Sequence, residues 1–101
     1  MTQKSFFSSI EDDMKQGLGL IKLKNKDYAT ESDPFKNFRT ASLVGVNPER
    51  AMLLRVLEKL SRISNFVDKT NDVKDETIQD TIIDCCNYLY ILNAYLKDKR
   101  K

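Results

Sequence analysis

The stretch Asp75-Glu76-Thr77-Ile78-Gln79-Asp80-Thr81-Ile82-Ile83-Asp84-Cys85-Cys86-Asn87-Tyr88 decides how this chain is read. It opens as a helix, with Asp75 as its cap, and carries acids at a strict four-residue repeat. At 3.6 residues per turn each four-residue step turns by only about 40°, so Glu76, Asp80, Asp84 and Asn87 share a stripe about 80° wide. Like charges at that spacing cost an isolated helix roughly 0.2 to 0.5 kcal/mol per pair, so the stripe calls for water or a cation. The core stripe of the same helix is Ile78, Ile82, Cys85, Leu89, Leu92 and Leu96, a 4-3-4-3-4 spacing that fits antiparallel bundle packing. Tyr88, Ile91 and Tyr95 follow beside the acids, so one side turns from acidic to aromatic along its length, as the wall of a pocket or of a subunit interface does.

Working outward, Asn47-Pro48-Glu49 is a helix start: a capping amide, a proline at the first helical position and an acid at the positive end of the dipole. The helix runs from Pro48 to about Val67, with an expected buried stripe of Leu53, Val56, Leu57, Leu60, Ile63 and Val67. Glu58 and Arg62 lie on its other face, four residues apart; the plain reading is a surface ion pair. If the last two helices pack antiparallel, Glu58 approaches the level of Asp80 and Asp84 and forms an oxygen-rich site for a hard cation, with Arg62 available to a phosphate.

Upstream, Asp33-Pro34 starts a short helix through Phe35, Phe38 and Leu43 that stops at Gly45. Asn25 to Ser32 reads as polar and irregular. A first helix from about Ser5 to Lys24 has Phe7, Ile10, Met14 and Ile21 at helical spacing, widened by Phe6 and Leu18. Gly17 and Gly19 weaken it by up to about 1 kcal/mol each, which predicts close packing or a bend. Asp68 to Lys74 reads as a charged loop. The expected fold is all-α: one domain over residues 1–101, a small antiparallel bundle of about four helices.

Composition limits the function. With 17 Lys and Arg against 15 Asp and Glu, nothing global points to a nucleic-acid coat or a membrane surface. No apolar run approaches the roughly 20 residues that span a bilayer, and no secretory leader opens the chain, so a cytoplasmic location is expected. The adjacent Cys85 and Cys86 point about 100° apart on a helix and read as reduced thiols. The absence of histidine removes imidazole bases and most zinc sites, so a metal site built from carboxylate oxygen would take Mg2+, or Mn2+. A chain of 101 residues gains much from association, and a homo-oligomer is expected.

The segment holding Lys24, Lys26, Tyr28, Lys36, Asn37, Phe38 and Arg39 mixes cations, aromatics and a helix start. Cations and amides there suit phosphates, and a ring suits a base. The plain alternative is a surface loop whose phenylalanines plug the core. Its Lys24-x-Lys26-Asp27-Tyr28-Ala29 and Asp33-Pro34-Phe35-x-Asn37-Phe38, together with Arg55-x-x-Glu58-Lys59-x-x-Arg62 and the Lys74 to Tyr88 run, resemble the nucleotide modification associated domain family common in phages. That family is similar to the MazG-like all-alpha nucleoside triphosphate pyrophosphohydrolases. The resemblance covers about Asn25 to Leu96 and implies an oligomeric helical bundle, acting in the host cytoplasm if phage-encoded, with magnesium held by acids of two helices. It assigns Glu58, Asp80 and Asp84 to catalysis, the same three with Glu76 to the metal, and Lys59, Arg62, Asn87 and Tyr88 to the nucleotide. The chain departs from the pattern where Glu58 replaces an expected Asp and where a Glu-x-x-Glu pair is missing from the preceding helix. Three functions stand open: magnesium-dependent hydrolysis of a nucleoside triphosphate between its α and β phosphates, sequestration of a linear or cyclic nucleotide that signals antiviral defence, and a plain helical interaction module.

Overall fold

A computed structural model describes residues 1–28, 33–69 and 75–100; the side chains of Asp27, Tyr28, Asp75, Glu76 and Thr77 lie outside the described set. The expectations for Tyr28, Glu76, the Asp75 cap, Lys74 and the charged loop up to it fall on those residues or beyond them. The described chain is all-helical: α1 spans Gln3–Tyr28, α2 Lys36–Arg39, a 3-10 turn Thr40–Val44, α3 Pro48–Asp68 and α4 Asp75–Lys99.

Helix α3 starts where its sequence says it must. Asn47 has extended backbone angles and its side-chain oxygen accepts the Arg50 amide at 3.0 Å, with Pro48 behind it. The short segment before it ends at Gly45, whose φ of 78° only glycine adopts without strain. That segment is one turn of α-helix tightened into 3-10 geometry rather than a single short helix. Asp33 forms an Asx turn ahead of it, accepting the Phe35 amide at 3.1 Å, instead of capping the helix. Helix α1 continues past Lys24 through the stretch expected to be irregular, because Asn25-Lys26-Asp27-Tyr28 contains no glycine or proline to stop it.

Helices α3 and α4 pack antiparallel and form the centre of the molecule. The Cys85 thiol reaches the Val56 carbonyl at 4.0 Å, and Lys99 meets Glu49 at 2.7 Å at the far end, so the hairpin is aligned over its length. The Lys99–Glu49 pair ties the last turn of α4 to the first turn of α3. Phe35, Met52 and Tyr95 make the buried core beneath α2, with Phe35 edge-on to Tyr95 at 5.2 Å and Met52 fully enclosed.

The buried faces differ from those expected. In α3, Met52 and Val56 are buried, whereas Leu53, Leu57, Leu60 and Val67 are exposed. In α4, Ile78 and Cys85 are buried as expected, but Ile82 and Leu89 are exposed, while Thr81, Ile83, Asn87 and Tyr95 are enclosed. The reason is that α4 has neighbours on three sides: α3 on one, α2 on another and α1 roughly opposite α3. Helix α1 crosses α4 at Gly17, where an added Cβ would lie 2.8 Å from Asn87 Oδ1. Gly17 thus provides the close approach anticipated for it; nothing lies within 4 Å of a Cβ at Gly19.

Candidate functional site

A cleft of about 630 Å3 opens where the later half of α1, the Pro34 to Phe38 segment and α4 meet. Helix α1 contributes Ile21, Lys24 and Asn25 from one face; Pro34, Phe35, Asn37 and Phe38 close one side; α4 supplies Asp84, Asn87, Tyr88, Tyr90, Ile91 and Ala94; Arg55 of α3 also lines it. The volume is within the range of small-ligand sites. Six residues singled out in the sequence line this one cleft: Lys24, Asn37, Phe38, Asp84, Asn87 and Tyr88. The acidic-to-aromatic side of α4 is therefore a pocket wall, through Asp84, Tyr88 and Ile91, whereas Tyr95 turns into the core.

The Asp33-to-Arg39 motif divides its labour by helical position. Phe35 is buried in the core, and Phe38 reaches the cleft, edge-on to Tyr88 with ring centres 6.2 Å apart. Arg39 turns away from the cleft, donates its Nε to Asp33 Oδ2 at 2.9 Å and lies 5.4 Å over the Tyr95 ring. Its guanidinium is held above its ordinary pKa, first by the Asp33 hydrogen bond. Arg39 braces the loop, then, while Asn37 and Phe38 line the cleft. Lys26 and Lys36 are exposed and do not line the cleft.

Electrostatics centre on Asp84. Its Oδ1 lies 3.3 Å from Lys24 Nζ and its Oδ2 3.5 Å from Lys59 Nζ, so one carboxylate joins α1, α3 and α4. The two lysines differ in freedom: the Lys24 side chain is 53% exposed and that of Lys59 15%. At this level α3 presents Lys59 to α4, not Glu58, because Met52, Val56, Lys59 and Ile63 are the residues whose 4-3-4 spacing faces α4. Glu58 is exposed and its carboxylate lies 3.6 Å from Arg55 on its own helix, so the expected approach of Glu58 to Asp84 is taken by a cation. Arg62 and Asp80 are exposed and lie outside the cleft. Among the described residues no three Asp, Glu or Cys side chains converge as a metal cage; Glu76, the fourth of the expected metal set, lies outside the described side chains.

Asn87 is buried and donates Nδ2 to the Gly17 carbonyl at 3.0 Å, which fixes α1 against α4 and so fixes Lys24 over the cleft. The Cys85 thiol is free, enclosed, and pushed up in pKa chiefly by burial, so it behaves as a small apolar group; Cys86 is free and exposed. Arg55, Asn25 and Tyr90 are cleft residues to which the sequence assigned no role. Arg55 belonged to a quoted motif, and its distance of 29 residues from Asp84 gave no sign of their sharing a wall.

No known protein family matches the chain, and neither a curated protein nor a solved structure shows significant similarity to it.

Proposed function

We propose that this MazG-like helical domain binds a nucleotide in the cleft and retains it. The observation that carries the reading is the composition of one nucleotide-sized space: two cations, three side-chain amides and a ring pair around a single compensated carboxylate. Lys24 and Arg55 hold phosphate oxygens, Arg55 in a fork and Lys24 as a mobile point charge. Phe38 and Tyr88 receive the base, and Asn25 and Asn37 read its polar edge. Lys59 is central to the design. When Lys24 swings to a phosphate, the less exposed Lys59 remains beside Asp84, so the carboxylate does not repel the ligand unopposed. In the phage setting that the resemblance implies, such a pocket sequesters a linear or cyclic nucleotide.

The competing reading is hydrolysis of a nucleoside triphosphate with Mg2+ or Mn2+ on Glu58, Glu76, Asp80 and Asp84. It is favoured by Asp80 and Asp84 standing one turn apart on α4, and it requires Asp84 to exchange two ammonium partners for the metal. The described acids do not fit that set as they stand, since Glu58 is turned to Arg55. Calorimetric titration of the wild type, Lys24→Ala and Phe38→Ala with nucleotides, with and without magnesium, tests the proposal. A charge-assisted hydrogen bond to phosphate is worth about 1.5 to 3 kcal/mol, so Lys24→Ala should weaken binding roughly 10- to 100-fold. Equal affinity in all three proteins would exclude this cleft.

A further inference from the structure

Packing accounts for only one of the two glycines in α1. A Cβ at Gly17 would lie 2.8 Å from Asn87 Oδ1, whereas a Cβ at Gly19 would meet nothing within 4 Å. Gly19 is exposed, lies inside the continuous helix Gln3–Tyr28, and does not have the positive φ that Gly45 has. No close approach and no left-handed angle calls for glycine there. What remains is its effect on the helix itself, which glycine weakens relative to alanine and allows to bend.

This weak point separates two unlike parts of α1. At Gly17 the helix is gripped, because the residue is buried and its carbonyl accepts Asn87 Nδ2 at 3.0 Å. Beyond Gly19 no described side chain of α1 is buried: Leu20, Ile21 and Asn25 are half-buried and the others are exposed. Yet this lightly held part supplies the cleft with Ile21, Lys24 and Asn25. Its ion pair to α4, Lys24 to Asp84 at 3.3 Å, involves a lysine side chain that is 53% exposed, so salt screens it.

We propose that the end of α1 from Leu20 onward is a lid on the cleft, hinged at Gly19 and latched by Lys24 on Asp84. Unlatched, it swings from the Gly17 anchor and widens the entrance; latched, it holds Ile21 and Asn25 over the cleft. Lids of this kind turn on a few positions, often small residues, that absorb the change in backbone angles. Lys59 stays beside Asp84 in either position, so opening does not strand the carboxylate. That the lid closes on a nucleotide rests on the function proposed above, with a phosphate between Lys24 and Arg55 then serving as the latch; the hinge itself does not rest on it.

Residue-resolved amide hydrogen exchange of the ligand-free protein is the test. In an α-helix the amides of residues 20–23 donate to the carbonyls of residues 16–19, so their hydrogen bonds reach across Gly19 and a bend there exposes them. The expected result is a local minimum of protection at residues 20–23, with better protected amides on both sides, at 17–19 and 24–26. High salt, Asp84→Asn and Lys24→Ala should each deepen the minimum by releasing the latch. Gly19→Ala, whose methyl meets nothing within 4 Å, should raise protection there about five-fold. Protection that declines steadily to the end of α1, as simple fraying gives, or a minimum unchanged by salt and by loss of the Lys24–Asp84 pair, overturns the proposal. A cleft that binds no nucleotide would instead refute the function proposed above and leave these exchange results standing.

Discussion

Replacing Gly17 with alanine sets two opposed effects against each other. Alanine inside a helix is favoured over glycine by about 1 kcal/mol, and α1 would gain that increment at a position without neighbours. At Gly17 the new Cβ meets Asn87 Oδ1 at 2.8 Å, inside contact distance, and Ile83 Cγ2 at an ordinary 3.6 Å. The Asn87 amide must shift, although it is enclosed and already donates to the Gly17 carbonyl at 3.0 Å. Losing that hydrogen bond costs about 1 kcal/mol, and leaving the buried amide without a partner raises the cost to about 1 to 3 kcal/mol. Gly17→Ala should therefore be destabilising by up to about 2 kcal/mol, a fall in Tm of several degrees for a domain of this length. In an Asn87→Ala background the obstructing oxygen is gone, and the same substitution should stabilise by about 1 kcal/mol. Urea denaturation of the four proteins of this double-mutant cycle reads the reversal of sign directly. A Gly17→Ala protein more stable than wild type by the full helix increment would refute the close crossing of α1 and α4.

Three further outcomes are expected. Met52→Ala truncates a fully enclosed side chain of the core beside Phe35 and Tyr95 and should cost about 2 to 5 kcal/mol in denaturant titration. Asp84→Asn releases Lys24 and Lys59 from their shared carboxylate, so calorimetry should show tighter binding of phosphate-bearing ligands, with a steeper dependence on salt. Glu49 is held below its ordinary value of 4.5, first by its hydrogen bond from Lys99, so the pair's contribution is present above that value and is lost as pH falls through the lower folded value; the small difference in melting temperature between wild type and Glu49→Gln should be present near neutrality and vanish in acid.

The elements were legible wherever a local rule acts alone. Asn47-Pro48 fixed the start of α3, Gly45 the preceding stop, and the acidic and aromatic side of α4 pointed to the wall of a pocket or of a subunit interface, of which the cleft supplies the first. The choice of buried face was not legible, because periodicity cannot separate a stripe that faces the chain's own core from one that it leaves open. Of the expected α3 stripe Val56 is buried and Leu53, Leu57 and Leu60 are exposed, while Met52, one position from Leu53 and outside that stripe, is fully enclosed. The cleft was half legible for a related reason. Lys24, Asn37 and Phe38 lie in a dense local motif, whereas Arg55 and the replacement of Glu58 by Lys59 beside Asp84 depend on the rotation of α3 against α4, a tertiary quantity.

The most direct measurement is to incubate stoichiometric purified protein with a panel of nucleoside triphosphates and cyclic oligonucleotides, with and without magnesium, then filter, heat-release and chromatograph both fractions. A ligand recovered intact from the heat-released protein fraction under both conditions is the expected result. No retained nucleotide, or a monophosphate with pyrophosphate formed only when magnesium is present, would contradict retention in the cleft.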